Sequence, residues 1–377
     1  MKTNHKKFTA ICAFFLFFIF VSFLVSAQPS YYIVKGKVID KNTKLPLQGA
    51  SIFAQNTTFG EVSDPNGNFS IRLPEGGYSL VVTYTGYETE NMRINHASSQ
   101  DSNFIFELSP KEKALEEVSI AISNEVKDGW QKYGGFFTDN FVGQTKFAKQ
   151  CVIKNPEVLH FYFNKKKNRL KVLAKEPLIV DNFALGYTLK FAIDSFTNEY
   201  NTKTNLFIGY PFFEEMKGSP EQQETWLKNR AFAYKGSILQ FMRSLYSRTL
   251  QEDGFELQFI IKSNNEEYPI PLKDVYGALN YSKDDSTNTV EFFPNQNEVA
   301  VIYNNEKPET AYLQQDSSAK KQFQLSTLTF SPGESIVIEQ NGYYYDQTDI
   351  ITNGYLGFKK IGDMLPYDYK QEPTSVQ

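Results

Sequence analysis

Cysteine and histidine are scarce: the 377 residues include 2 Cys and 3 His. Cys12 lies in an apolar run near the N-terminus, which leaves Cys151 as the single thiol of the processed chain and excludes an intramolecular disulfide. A nucleophilic thiol needs a basic neighbour. The two histidines that remain, His96 and His160, belong to no metal or catalytic motif, so Cys151, in Phe147-Ala148-Lys149-Gln150-Cys151-Val152-Ile153, is expected to be a small buried hydrophobe. The sequence also lacks a glycine-rich nucleotide loop, a zinc-ligand set and a nucleophile elbow. No repeat of solenoid period is evident.

The N-terminus carries Lys2, Lys6 and Lys7, then an apolar run over 10–25, then Val25-Ser26-Ala27 before Gln28 and Pro29. These are the basic, apolar and small-residue regions of a secretory signal peptide, with cleavage expected after Ala27 and an uncleaved anchor as the alternative. Removing 27 residues from 377 leaves 350 and takes the net charge from −4 to −7, since three lysines and no acids are lost. An acidic chain of that size argues against nucleic acid and anionic membrane surfaces as partners, and it has room for about two or three domains.

Aromatic residues are plentiful, with 33 Phe and 23 Tyr, which suits half-buried strands. Short apolar alternations separated by turn residues predict strands over 32–39, 50–54, 60–62, 68–73, 78–84, 88–94 and 103–108. Seven short strands at this spacing indicate a two-sheet sandwich. In the fifth, Tyr78, Leu80, Val82 and Tyr84 share one face by the period of two and should face the core. Asp64-Pro65-Asn66-Gly67 reads as a turn; Asp64, Asn66 and Asn68 alternate like calcium-loop ligands, but the glycine and bidentate glutamate of such a loop do not follow.

Gly36, Val38 and Asp40, the stretch 46–50, the stretch 63–69 and the stretch 77–87 together resemble the carboxypeptidase-regulatory-like domain, a transthyretin-like sandwich of exported Bacteroidota proteins. The resemblance implies a fold and no catalysis: in the metallocarboxypeptidases that name the domain, the chemistry resides in a separate zinc domain whose H-x-x-E pair has no counterpart at His96 or His160. The same module precedes the plug and barrel of outer-membrane transporters, and Leu115-Glu116-Glu117-Val118-Ser119-Ile120 resembles the strand that follows it there. A closed barrel of that kind needs far more chain, at roughly 10 residues for each of some 22 strands, so an integral barrel is ruled out, although a partner of one is not.

After the polar break Ser109-Pro110-Lys111-Glu112-Lys113, residues 110–145 read as a linker with a short helix, and 146–377 as a larger β-rich α+β domain. Strands are predicted over 157–163, 169–175, 178–183, 187–196 and 204–213, with Lys165, Lys166, Lys167 and Asn168 at a solvated hairpin tip. Ser219-Pro220-Glu221-Gln222 is a capping box that opens a helix over 220–234, and a second helix is predicted over 237–253, stopped by Gly254. Strands resume over 255–261, 298–304, 323–330 and 334–340. This region resembles the uncharacterised part that accompanies the sandwich in many Bacteroidota proteins, notably at Asn155-Pro156, Pro177-Leu178, Leu185-Gly186-Tyr187, Asn229-Arg230, Tyr234-Lys235-Gly236-Ser237 and Leu365-Pro366-Tyr367-Asp368-Tyr369.

Trp226, Arg230 and Tyr234 recur every four residues on one helix face, with Arg243 on the next helix. They form a candidate cationic, aromatic ligand surface, or else an arginine stacked on aromatics and paired internally. Glu214 and Glu215 are adjacent on a strand and point to opposite faces, which excludes them as a glycosidase pair. The expectation is a non-enzymatic exported binding or scaffolding protein of the periplasm or outer membrane, with a protein or glycan partner and no cofactor or metal. A peptide or glycan hydrolase built from dispersed carboxylates, or a surface adhesion protein, are the alternatives.

Overall fold

The computed structural model describes residues 31–95, 103–111, 125–202, 204–264, 266–345 and 347–371. The expected signal peptide, His96 and the stretch 115–120 lie outside the described residues.

Seven strands build the N-terminal sandwich: β1 (Tyr31–Asp40), β2 (Ser51–Ala54), β3 (Gly60–Val62), β4 (Asn68–Pro74), β5 (Tyr78–Thr83), β6 (Glu90–Ile94) and β7 (Asn103–Leu108). Each lies within two residues of its expected bounds. One sheet has the order β4-β1-β7, with β1 and β7 parallel, and the other the order β3-β2-β5-β6. Val34, Val38, Ile52, Leu73, Leu80 and Val82 alternate inward along their strands and are fully buried between the sheets. At the β3–β4 turn the Asp64 carboxylate accepts from the backbone N–H groups of Asn66 and Asn68, both at 2.8 Å, so it is occupied as a turn residue. Of the expected inward set, Tyr78, Leu80 and Val82 are buried while Tyr84 lies past the end of β5 and is partly buried, and Ser79 and Val81 on the opposite face are buried as well. The outer face of this sheet is covered by the rest of the chain, with Phe53 packed on Phe212 at a ring separation of 5.3 Å.

The described part of the segment expected as a linker with a short helix contains one helix that packs into a core. Helix α1 (Gly129–Phe141) sends fully buried Phe137 and Phe141 into the core beneath a six-stranded sheet, where they meet Phe161, Phe191 and Phe196. That sheet comprises β8 (Cys151–Ile153), β9 (Leu159–Asn164), β10 (Arg169–Ala174), β11 (Leu178–Asn182), β12 (Tyr187–Glu199) and β13 (Thr204–Glu215), in the order β8-β11-β12-β10-β9 with β13 also paired to β12. Residues expected in a linker are core residues because their apolar positions fall on one side of the helix.

Helix α2 (Pro220–Tyr234) begins at the expected capping box, with Ser219 and Gln222 bonding reciprocally to each other's backbone N–H. Helix α3 (Ile238–Ser247) is shorter than expected. Arg248 takes a left-handed conformation with φ 59° and returns its N–H to Leu245 and Ser244 carbonyls, closing the helix before Gly254. The stretch after it is knotted by Asp253, which accepts from Ser244 Oγ and Thr249 Oγ1.

The C-terminal part has its own core, in which Phe241, Met242 and Leu245 of α3 pack with Val290, Leu328 and Ile338. Its strands are β14 (Phe255–Ser263), β15 (Glu266–Pro271), β16 (Ser282–Asp284), β17 (Thr289–Phe292), β18 (Glu298–Tyr303), β19 (Gln324–Phe330), β20 (Ile336–Glu339) and β21 (Ile350–Asn353). They form a five-stranded sheet β15-β14-β18-β19-β21 and a three-stranded sheet β16-β17-β20. Among the described residues every sheet is open, and no helix is long and apolar enough to cross a membrane.

Phe137→Ala should cost about 3–5 kcal/mol in denaturant unfolding, as for a large aromatic removed from a closed core. Phe183→Ala, at a position 50 % exposed, should change stability by less than about 1 kcal/mol.

Candidate functional site

The four candidates on α2 and α3 are not an open surface. Trp226 is 7 %, Arg230 8 % and Tyr234 9 % exposed. Trp226 Nε1 donates to the Phe183 carbonyl at 2.9 Å, and its ring lies over Gly186, where a Cβ would fall 2.2 Å from the indole. Glycine is required there twice over, since its φ is +69°. Arg230 donates Nε to the Leu185 carbonyl at 2.7 Å, Nη2 to the Gly186 carbonyl at 3.2 Å and Nη1 to Glu215 at 2.9 Å. Its guanidinium lies 3.8 Å from the Tyr187 ring centroid. Arg230 is therefore an internally paired arginine that clamps the turn between β11 and β12. Glu214 pairs instead with Lys190, on the other face of β13.

Arg243 holds a different segment. It donates Nε to the Asn341 carbonyl at 2.9 Å, Nη2 to Tyr367 at 2.9 Å and Nη1 to Tyr369 at 3.0 Å, while Tyr234 packs on Tyr369 at 5.5 Å. The planar fork of the guanidinium thus orders the last described stretch of chain. The motifs at 155–156, 185–187, 229–230 and 365–369 share this character. Asn155 bonds Ile179 N–H and the Pro177 carbonyl, and Asn229 bonds the Ala184 carbonyl. Their side chains satisfy backbone groups, which is a structural use.

The segment that Arg243 orders is the seat of the sandwich. Tyr367 N–H donates to the Asn56 carbonyl at 2.7 Å, Asn56 N–H to the Pro211 carbonyl at 2.6 Å, and Phe213 N–H to the Thr57 carbonyl at 3.0 Å. Asp368 accepts from Thr58 N–H at 2.9 Å and Thr58 Oγ1 at 2.5 Å. Burial raises the Asp368 carboxyl above its ordinary range, against the lowering effect of the Thr58 bonds. A second contact pairs Arg93 of β6 with Glu339 of β20, with the guanidinium 3.3 Å from the Tyr345 ring centroid. Sequence reasoning missed Thr58, Asp368 and Glu339 as contact residues. Asp368 lay within a noted motif, but nothing local marks its partner 310 positions away.

Beside this seat lies a cavity of about 210 Å³, where the sandwich turn, β13, the start of α3 and the C-terminal segment meet. Its walls are largely apolar, including Leu239, Leu356 and Met364, with Asn56, Lys359, Lys360 and Asp363 among the polar lining residues. Asp363 is 5 % exposed and accepts from Thr145 Oγ1 at 2.7 Å. Burial pushes its carboxyl up to about 6. Lys359 donates to the Lys235 carbonyl at 3.0 Å, and burial lowers the pKa of both Lys359 and Lys360. Burial also pushes the Cys151 thiol up to about 12, which leaves it protonated at neutral pH and unsuited to nucleophilic attack. His160 Nδ1 pairs with Glu125 at 2.7 Å, away from both groups. Among the described residues no three His, Cys, Asp or Glu side chains are placed to hold a metal ion.

The raised Asp363 pKa fixes the sign of a pH effect. The folded state binds this proton more tightly than the unfolded chain, so the stability it contributes is full below the ordinary carboxyl range and is lost as pH rises through about 6. Asp363→Asn should match the wild type near pH ~4 and exceed it by about 1–3 kcal/mol near pH ~7 in denaturant unfolding.

Residues 34–120 match the model of the family described as CarboxypepD_reg-like domain. Among curated proteins the chain is 30% identical over 115 residues to TonB-dependent receptor P39 of Formosa agariphila, covering 30% of this chain and 11% of the receptor. It is 26% identical over 124 residues to TonB-dependent receptor P3 of the same organism, covering 33% and 12%. The chain thus spans about a tenth of the length of these relatives. Among solved structures, a DUF3823 family protein from Bacteroides ovatus aligns over 72% of this chain and 90% of its own at 10% identity, with a TM-score of 0.18, a likeness too low to support an argument. It is the N-terminal sandwich that carries the match to the carboxypeptidase-regulatory-like domain model.

Proposed function

We propose that the protein is a non-enzymatic binding or scaffolding protein of the cell envelope, exported to the periplasm or the outer membrane. The observation that carries the reading is the family of the sandwich, together with the similarity to two TonB-dependent receptors. The way the sandwich is mounted supports a scaffolding role. Its β3-β2-β5-β6 sheet is spent on the internal seat, while the outer face of β4-β1-β7 stays open, with Ile33 53 % and Ile105 58 % exposed. Lys35 on the same face of β1 is exposed, and Arg72 on β4 lies 4.1 Å from the Tyr31 ring centroid. Exposed apolar residues rimmed by charge are the composition of a contact face, and a protein or glycan of the envelope is the partner class that fits the compartment.

Cell fractionation with mass spectrometry of the N-terminus tests this. The expected result is envelope-bound or periplasmic protein beginning at Gln28, crosslinked to a second envelope component. A cytoplasmic protein retaining residues 1–27 would overturn it, as would hydrolysis of peptides or glycans by the purified chain at enzyme-like rates of about 1 s⁻¹ or more.

A further inference from the structure

Strand β13 has one edge along which, among the described residues, no strand runs. Its partner in the six-stranded sheet is β12 alone. Along an antiparallel strand, successive residues aim their backbone N–H and C=O groups at alternate sides. Pro211 and Phe213 face away from β12, because the Pro211 carbonyl accepts from Asn56 and the Phe213 N–H donates to Thr57 in the seat. The irregularity in the β12–β13 pairing adds a residue to β12 between Ile193 and Ser195, while β13 runs on from Gly209 to Ile208 without a break. Gly209, Phe207 and Asn205 therefore face the same way as Pro211, and among the described residues no group bonds their backbone N–H or carbonyl. Two further edges are treated differently. The edge of β9 is capped by Val126, whose N–H donates to the Phe161 carbonyl at 2.8 Å. On β15 the bond from Leu272 N–H to Leu257 turns Pro269 and Pro271 outward, where they supply no donor. The β13 edge carries no such device: residues 204–213 include no charged side chain, and their one proline lies in the seat.

We propose that two copies of this chain pair through this edge, antiparallel about a twofold axis at Phe207, so that two six-stranded sheets become one. The seat ends the open stretch at Pro211, which leaves residues 204–210, and that stretch is centred on Phe207. A twofold turn about its centre lays the stretch on itself, as closed self-association requires. Phe207 then faces Phe207 of the partner subunit, and Asn205 faces Gly209 of the partner subunit, which gives the outward groups about six interchain hydrogen bonds. At the intervening positions Leu206 faces Ile208 of the partner subunit. Leu206 is 48 % and Ile208 38 % exposed, and pairing covers each with the other. The Phe207 ring packs against Phe141 and Phe191 on the other face of the strand, so pairing asks no change of the core. No like charges meet along the edge. A strand of another protein would meet the same backbone groups; the match of Leu206 to Ile208 in the self-paired register favours a second copy. The contact depends on β13 and on no particular compartment, so the inference goes beyond the envelope reading and stands or falls separately from it.

Sedimentation equilibrium of the purified protein from about 1 to about 300 µM tests the proposal. The expected result is a monomer–dimer equilibrium with no larger species, because a twofold contact closes on itself. The double variant Leu206→Lys with Ile208→Lys, which opposes lysines across the axis at exposed positions, should weaken the dimer at least about tenfold. Ile33→Lys, on the open face of β4-β1-β7, should leave it unchanged. At the high end of the range the amides of Asn205, Phe207 and Gly209 should exchange at least about tenfold more slowly in the wild type than in the double variant, with the core amides of β12 protected alike in both. That last comparison guards against a misfolded variant. A monomer throughout the range, including one that takes up a strand of another protein at this edge, would overturn the proposal. So would open-ended assembly, a dimer that Ile33→Lys breaks and the edge variant keeps, or edge amides that exchange at equal rates in the two proteins. Cell fractionation is unaffected by any of these results, so failure here leaves the envelope reading intact.

Discussion

The seating of the turn at Asn56, Thr57 and Thr58 is the constraint on which the rest of the molecule depends. Three backbone hydrogen bonds and the Asp368 carboxylate hold the turn, and they reach it from two distant parts of the chain, β13 and the C-terminal segment. Asn56, Thr57, Phe213 and Tyr367 are buried and Thr58 and Asp368 half-buried, so the groups that leave the junction lose partners that water replaces only in part. A hydrogen bond to a charged group contributes on the order of 1.5–3 kcal/mol, and leaving a buried carboxylate unpaired costs more than forming the pair returns. The junction is therefore strong in one register and poor in any neighbouring one.

The parts are arranged in series. Trp226 and Arg230 fix the β11–β12 turn, which places β12 and with it β13. Arg243 fixes the carbonyls of Tyr367 and Tyr369, which places Asp368. The two groups converge on the sandwich turn, one through β13 and the other through the C-terminal segment. The cavity follows from the same convergence: residues of the two larger cores line it, and the sandwich contributes only Asn56 of its turn. The residues first singled out as a ligand platform thus act structurally: Arg243 holds Tyr367, a wall of the cavity, and Arg230 and Trp226 hold the turn before β12.

The sandwich was legible in the sequence because its strands alternate cleanly and its turns carry Asp, Pro, Asn and Gly at positions with a backbone reason. Helix α2 was legible from a cap that uses two side chains in a fixed spacing. The end of α3 was not, because Arg248 takes a left-handed conformation that only the Asp253 knot and surrounding packing explain. Strands β8, β15, β16, β17 and β21 were missed, β15 with every residue exposed and the others only three or four residues long, too short for a period to appear. At the site, Trp226, Arg230, Tyr234 and Arg243 were found by spacing, but spacing does not say whether a guanidinium faces solvent or carbonyls. The cavity residues Lys359, Lys360 and Asp363 carry no local signal, since what sets them apart is burial imposed by segments far away in sequence.

Amide hydrogen exchange at Asn56, Phe213 and Tyr367 tests the seating most directly, since these three N–H groups cross the junction. If the sandwich is seated as described, all three exchange as slowly as the core amides of β12, and Asp368→Asn raises their rates together by about tenfold or more. Exchange of the three at the rates of exposed loops, with β12 still protected, would show that the sandwich is not held by this turn and would contradict the account.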